Sequence, residues 1–170
     1  MNVMRQIKIE KLTLNIGAGK DTKVLEKGKK LLQHVTGIEP VATKTNKRIA
    51  GWGLRPGLPI GAKITIRDKE MIKDLVTRFL AAKEKKVKAS WFDNHGNISF
   101  GIYEYVDIPG VKYNTDIGMM GFQVSITLAR PGFRVKRRKI RKSSIGAHQK
   151  VSQEESISYL KETFGIQVEE

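Results

Sequence analysis

Two glycine-rich segments and three histidines are the first candidates for ligand binding or metal coordination. Gly17-Ala18-Gly19-Lys20 follows an alternating apolar stretch, and glycine amides together with a lysine can hold a triphosphate. The phosphate-loop pattern is incomplete, because Leu14 stands where its first glycine belongs and Asp21 where it needs Ser or Thr. We therefore interpret this segment as a turn between a strand and a helix.

The second glycine-rich segment and the histidines are equally poor candidates for chemistry. In Gly51-Trp52-Gly53-Leu54-Arg55-Pro56-Gly57, a proline occupies the position where a dinucleotide-binding fingerprint needs its third glycine, which favours a flexible loop. His34, His95 and His148 lie far apart and lack the spacing of a helical metal pair. The sequence therefore predicts no catalytic residue, no metal site and no cofactor, and the chain is not expected to be an enzyme.

The charge balance is the most informative property of the composition. The 170 residues include 32 Lys and Arg against 17 Asp and Glu, so the net charge is +15 and a polyanionic partner is expected. The chain has no cysteine, which excludes disulfides, thiolate zinc sites and cysteine nucleophiles and fits a reducing compartment. We find no secretory leader and no window of roughly 20 apolar residues. The expectation is a cytoplasmic protein without a membrane partner.

Apolar periodicity predicts an α+β chain that forms one domain over residues 1–170. The predicted strands lie at 12–16, 62–67, 98–103 and 122–129, and the first has a bulge or a late start near Lys11. One predicted helix runs from Asp21 or Thr22 to about Thr36, and a second begins after the cap Asp68. A closing helix is predicted at about 153–164, behind a capping box of Ser152 and Glu155. The remaining segments are a basic projecting loop at about 43–61 and a basic arm at about 130–150.

The side-chain alternation in these strands predicts how the elements are layered. Ala62, Ile64 and Ile66 share one face of their strand, whereas Lys63, Thr65 and Arg67 share the other. We therefore expect an antiparallel sheet with helices packed on one face only. The other face would be polar, rich in hydroxyl groups and open to a ligand.

Basic side chains cluster in three places that such a fold would expose. Single-stranded or looped RNA is commonly held by cations and aromatic rings, and a sheet can hold short polar groups at fixed spacing against phosphates and 2′-hydroxyls. The loop contributes Lys44, Lys47, Arg48 and Arg55 around Trp52; the sheet face contributes Asn15, Lys63, Thr65 and Arg67; the arm contributes Arg130, Arg134, Lys136, Arg137, Arg138, Lys139, Arg141 and Lys142.

Three explanations of these clusters are distinguishable. A single run of charge is often only a solvated surface, but three runs and a net charge of +15 favour RNA binding. A general nucleic-acid coat protein is the alternative that charge alone would permit. An enzyme acting on nucleotides is the third hypothesis, and it lacks a paired base, a nucleophile or a metal shell.

Six stretches of the chain form recognisable motifs, and in order they are Leu12 to Gly19, Thr36 to Pro40, Arg55 to Gly61, Lys63 to Arg67, Phe92 to Asn97 and Gly121 to Ile126. Together they resemble the ribosomal protein L-five family, which anchors 5S rRNA in the large ribosomal subunit. The arm that follows Arg130-Pro131-Gly132-Phe133-Arg134-Val135 is similar to that of the archaeal and eukaryotic branch.

The resemblance implies a structural role in translation, in the central protuberance of the large ribosomal subunit. It implies that the outward sheet face, with Asn15 and Thr65 flanked by Lys63 and Arg67, holds 5S rRNA. It also implies that the loop from Thr43 to Gly57, with Arg48, Trp52 and Arg55, contacts a P-site tRNA. The other implied partners are large-subunit rRNA, neighbouring central-protuberance proteins and a protein of the small-subunit head.

Overall fold

The computed structural model describes residues 2–169, which contain seven β-strands and four α-helices. In chain order these are β1 (Lys8–Gly17), α1 (Thr22–Thr36), β2 (Val41–Lys44), β3 (Pro59–Ile66), α2 (Lys69–Ala81), β4 (Lys86–Lys88), β5 (Ile98–Ile102), β6 (Phe122–Ala129), α3 (Arg134–Arg137), α4 (Gln153–Phe164) and β7 (Gln167–Glu169).

The three long helices begin at the residues that the sequence predicts, and α1 and α4 also end at the predicted residues. Asp21 caps α1 by accepting a hydrogen bond from the Lys23 amide at 2.9 Å, and Gly37 ends this helix in the left-handed conformation at φ 71°. Asp68 caps α2 in the same way. The capping box before α4 is also confirmed, because its serine and glutamate side chains each satisfy a backbone amide of the other residue.

Five strands form one antiparallel sheet in the order β2-β3-β1-β6-β5. The long strand β1 lies at its centre and pairs with β3 on one side and β6 on the other. Its pairing with β6 shifts register between Ile9 and Lys11, which is the predicted bulge. Because of this shift, Ile9 before it and Leu12 and Leu14 after it pack against the same core, although their sequence positions differ in parity.

The hydrophobic core lies between one face of this sheet and the helices. Leu12 and Leu14 of β1 are fully buried, and Phe79 of α2 contacts Phe122 of β6 edge-to-face with 5.6 Å between ring centroids. Apolar residues of α1, α2 and α4 belong to the same buried cluster as the inward-facing strand residues. The predicted α+β class, an antiparallel sheet with helices on one face, is therefore confirmed.

Four short features differ from the prediction. Strand β2 lies in a segment predicted as loop and β3 begins at Pro59, so the connecting loop spans 45–58 rather than 43–61. Residues 86–88 and 167–169 form a separate parallel pair, and the basic arm contains the one-turn helix α3. Stretches of three or four residues carry too little periodicity to be recognised, and the parallel pair depends on a contact between segments about 80 residues apart in the chain.

Candidate nucleic-acid interface

Four hydroxyl side chains form a row across the sheet face opposite the helices. Thr13 of β1 lies beside Thr65 of β3 on one side and beside Ser125 of β6 on the other. Ser125 in turn lies beside Ser99 of β5, and the Ser99 hydroxyl donates to the Ser125 hydroxyl at 3.0 Å. Because neighbouring strands are about 4.8 Å apart, the row presents evenly spaced groups that both donate and accept hydrogen bonds.

A second row, two residues further along β1, carries amides and a cation. Asn15 lies between Lys63 of β3 and Gln123 of β6, and its amide nitrogen donates to the Gln123 side-chain oxygen at 3.4 Å. Lys63 is exposed, and Gly101 of β5 completes the row without a side chain. The face is therefore polar, shallow and positively charged rather than apolar.

The loop between β2 and β3 is folded rather than extended. Thr45 is buried at its base, where its amide donates to the Leu58 carbonyl at 2.9 Å and its carbonyl accepts from the Gly57 amide at 2.8 Å. Near the tip, Ile49 and Leu54 form a backbone bridge. These bonds hold Trp52 at the tip with 69% of its surface exposed, which is unusual for so large an apolar side chain.

One predicted RNA-binding cation of the arm is instead part of the interior. Arg130 is 8% exposed, and its guanidinium donates to the carbonyls of His148 and Lys150 at 3.0 and 3.2 Å and to the Glu155 carboxylate at 2.6 Å. The grouping of Arg130 with the exposed arm is therefore wrong, because Glu155 neutralises its charge and two carbonyls from the far end of the arm accept its hydrogen bonds. Through these contacts Arg130 connects the start of the arm with its far end and with the first turn of α4.

The other arm cations lie on the surface. Arg137 pairs with Glu10 of β1, and the Arg138 guanidinium donates to the Arg141 carbonyl at 2.7 Å. Among residues 2–169, Arg137 is the one member of this group with an ion pair. The group consists of Arg134, Lys136, Arg137, Arg138, Lys139, Arg141 and Lys142, all exposed.

Besides Glu84, whose pKa is lowered by its pairing with Lys86 on the surface, two carboxylates have lowered pKa values, and both support structure rather than chemistry. The Ser152 backbone amide and the Arg130 guanidinium hold the pKa of Glu155 below its ordinary value, although partial burial opposes them. For Asp93, burial raises the pKa, but hydrogen bonds from Asn97 and from the His95 amide outweigh it and leave the pKa lowered. Neither carboxylate faces the sheet rows.

The part of the chain that the structure describes contains no cluster of three or more His, Asp or Glu side chains arranged to hold a metal ion. Among the same residues, no helix is both long enough and apolar enough to cross a lipid bilayer.

Comparison with known proteins gives the same family over both parts of the chain. Residues 2–55 match the family model described as ribosomal protein L5, and residues 59–159 match the model that describes the C-terminus of the same ribosomal protein family. The chain belongs to the L5 family of ribosomal proteins. L5 proteins are structural constituents of the large ribosomal subunit, so the chain is not an enzyme, as its residues predict.

The relatives of this L5 chain include archaeal proteins that match over 97–100% of its length. The large ribosomal subunit protein uL5 of Nanoarchaeum equitans is 45% identical over 97% of both chains. That of Sulfurisphaera tokodaii is 45% identical over all of this chain and 96% of its own length. The uL5 protein of Methanosphaera stadtmanae is 41% identical over 99% of this chain and 100% of its own. These archaeal relatives confirm the predicted resemblance of the L5 chain to the archaeal and eukaryotic branch.

The L5 fold brings together some of the predicted site residues and leaves others apart. Asn15, Lys63 and Thr65 lie on the open face, and Arg67 is exposed directly after the end of β3. Lys44, Lys47, Arg48 and Arg55 are exposed on β2 and its loop, and the arm follows β6 as a separate segment.

Sequence reasoning missed the residues that complete the two polar rows. Thr13, Ser99, Gln123 and Ser125 alternate with buried apolar residues, so that they occupy the positions between core residues along each strand. This parity was available from the sequence. Their alignment beside Asn15 and Thr65 was not, since it requires the strand order.

Proposed function

We propose that this ribosomal protein binds 5S rRNA through the open face of its sheet. The observation that carries the proposal is the row of four hydroxyls beside the amide row, uncovered on the side of the sheet away from the helices. Hydroxyl and amide groups can bond both to phosphate oxygens and to the 2′-hydroxyl, which distinguishes RNA from DNA. Lys63 and Arg67 add the positive charge that draws the phosphates in.

The proposal extends to the loop and the arm as two further contacts. Arg48, Trp52 and Arg55 on the exposed tip of the loop combine a ring with cations, a combination suited to the unpaired bases and backbone of a P-site tRNA. The loop cations Lys44 and Lys47 and the seven exposed arm cations would contact rRNA of the large subunit. Neighbouring central-protuberance proteins and a small-subunit head protein would meet the remaining surface.

A substitution that adds positive charge but blocks the face separates shape recognition from plain charge attraction. We expect Thr65→Arg to weaken binding of a 5S rRNA transcript at least roughly tenfold in filter binding, because the long side chain would stand in the middle of a flat surface. The smaller change Asn15→Ala should weaken it about threefold, the loss of one modest hydrogen bond. Both side chains lie on the open face, so the fold should stay intact.

Thr77→Arg is the matched control, since it makes the same change on the exposed side of α2, on the helical side of the sheet. It should leave 5S rRNA affinity unchanged or slightly raised. A general coat protein would bind tighter in both variants and would show little preference when 5S rRNA competes with duplex DNA at fixed salt. Unchanged or tighter binding by Thr65→Arg would remove the sheet face from the proposed site.

A further inference from the structure

A cleft opens at the free edge of β5, beside the sheet face, and Gly101 is the one lining residue that it shares with the rows described above. It has a volume of about 390 Å³, and Lys83, Lys86, Lys88, Trp91 and Tyr103 line it together with Gly101. Tyr103 is 84% exposed, more than any other large apolar or aromatic side chain among the described residues. The cleft therefore combines an exposed ring with three lysines.

One of the lysines contacts the ring, and backbone hydrogen bonds define the turn that carries the lysines. The Lys83 ammonium lies 4.3 Å from the centre of the Tyr103 ring, a cation–π contact. The turn that carries the lysines is fixed by backbone bonds from Lys85 to Leu80 at 2.8 Å and from Gln167 to Lys85 at 2.9 Å. It holds Glu84 and Lys85 at φ 52° and 59°, left-handed conformations that such residues adopt only at a cost of about 1 kcal/mol or more.

Trp91 also lines the cleft and packs against the hydrophobic core. Trp91 stacks on the buried Phe100, with 5.8 Å between ring centroids and 23° between ring planes. Two carboxylates are also present. Glu84 pairs with Lys86 at 2.8 Å, and Glu169 lines the cleft. Among the described residues, Lys83 and Lys88 form no ion pair, so they keep their positive charge for a ligand.

Gly101 connects this cleft with the sheet face. It lines both the edge cleft and the shallow depression that contains Asn15, Gly17 and Gln123. A Cβ atom at Gly101 would meet no protein atom within 4 Å, so the missing side chain is not required by packing. Gly101 itself therefore places no side chain between the sheet face and the edge cleft.

We propose that the edge cleft binds one unpaired nucleotide of RNA, with its base stacked on Tyr103 and its flanking phosphates held by Lys83 and Lys88. The inference rests on the RNA-binding role proposed above and extends it by a subsite for single-stranded RNA. Stacking on an aromatic ring tolerates any base, so the subsite adds affinity for an unpaired residue rather than sequence preference.

Binding of fluorescein-labelled octaadenylate RNA, followed by fluorescence anisotropy with the full chain, tests the subsite separately from the sheet face. We expect Tyr103→Leu to weaken binding about five- to tenfold and Tyr103→Phe to change it less than about twofold, because the ring and not the hydroxyl stacks. Lys83→Gln should lower the slope of log affinity against log salt by about 0.7, the loss of one phosphate contact on single-stranded RNA. Because the Tyr103 side chain is so exposed, neither Tyr103→Leu nor Tyr103→Phe should affect folding.

Tyr113→Leu is the matched control, since Tyr113 is 55% exposed and does not line the cleft. Equal losses in Tyr113→Leu and Tyr103→Leu, or no loss in Tyr103→Leu, would overturn the subsite. An octaglutamate peptide that binds as tightly and is equally sensitive to Tyr103→Leu would show an acidic-peptide site and overturn it too. A failure of the proposed 5S rRNA binding would be recognised separately. That binding is measured with the 5S rRNA transcript and the Thr65→Arg variant, whereas the subsite is measured with the octanucleotide and the Tyr103→Leu variant.

Discussion

At the scale of single residues, two glycines that pair with each other in the sheet differ in whether the fold requires them. Gly17 and Gly61 face each other at the ends of β1 and β3. A Cβ atom at Gly61 would lie 2.5 Å from the Ile16 carbonyl oxygen and 2.9 Å from the Thr43 hydroxyl, whereas at Gly17 it would meet nothing within 4 Å. Gly61 is required by the sheet, and Gly17 is not.

Alanine substitution of the two glycines should therefore give opposite changes in stability. We expect Gly61→Ala to lower the free energy of unfolding by about 1–3 kcal/mol, because the methyl group forces the strands apart. Gly17→Ala should leave it unchanged or raise it by about 0.5 kcal/mol, through reduced freedom of the unfolded chain. Urea denaturation of both variants measures the difference, and equal destabilisation would contradict this account.

The stretch from Phe92 to Asn97, one of those that resemble the L5 family, has a structural role. The Asp93 carboxylate accepts hydrogen bonds from the amides of His95 and Asn97 at 2.8 and 2.7 Å. Gly96 has φ 76°, and a Cβ atom there would lie 2.2 Å from the Ser156 hydroxyl of α4. This stretch therefore shapes the turn before β5 and lets α4 approach it, which accounts for Asp93, Gly96 and Asn97 without an RNA contact.

At the scale of elements, the start of α4 is joined to the root of the basic arm. Glu155 accepts from the Ser152 amide as part of the capping box and also from the buried Arg130 guanidinium. One carboxylate thus connects two elements. Because its pKa is lowered by folding, the native state holds this proton less tightly than the unfolded chain does.

Glu155→Gln should make the stability of the protein less dependent on pH. We expect a loss of about 1–2 kcal/mol in the free energy of unfolding at pH 7, a small loss for a buried arginine because the Glu155 side chain is 43% exposed. The wild-type advantage is present above the ordinary pKa of 4.5 and is lost as pH falls through the lowered value.

Chemical denaturation at pH 7 and at about pH 3.5 checks this expectation, and the difference in unfolding free energy between the two proteins should be smaller at the lower pH. Glu154→Gln is the control, since Glu154 is an exposed neighbour on the same helix turn and has no ion pair with Arg130. A gap that stays constant with pH, or an equal loss in Glu154→Gln, would show that the Arg130 contact is not the cause.

At the scale of the whole molecule, the position of charge matters more than its amount. The chain carries +15, but α1 and α2 also present exposed lysines, on the side of the sheet away from the proposed RNA site. Counterion release depends on cations that meet phosphates, so two variants with equal net charge should differ in their response to salt.

Replacing four arm cations, Arg134, Lys136, Lys139 and Lys142, with Gln should lower the slope of log affinity against log salt for a 5S–large-subunit rRNA fragment by about 3. The matched control replaces Lys23, Lys27, Lys30 and Lys73 of the helices, which gives the same net charge and should change the slope by less than about 1. Filter binding between about 50 and 200 mM salt measures both slopes. Equal slopes would show that the arm attracts RNA only through the overall field.

Features that depend on neighbours along the chain follow from the amino-acid order alone. Capping residues such as Asp21 and Asp68 set the helix starts, because a cap bonds to amides two or three residues away. Alternation places Thr65 and Lys63 on the outer side of β3, since successive side chains of a strand point to opposite faces. The excess of lysine and arginine and the ordered motifs are sufficient to indicate RNA and the family.

Which of these residues meet depends on the folded chain. The strand order aligns Thr13, Thr65, Ser99 and Ser125 into one row, and no local pattern specifies which strands are neighbours. Arg130 could not be told from the other arm cations, because its burial depends on carbonyls about 20 residues away. The contact of Lys83 with Tyr103 likewise joins the end of α2 to the edge of the sheet. These contacts join residues that are distant in sequence and form only when the core packs, so local sequence patterns do not predict them.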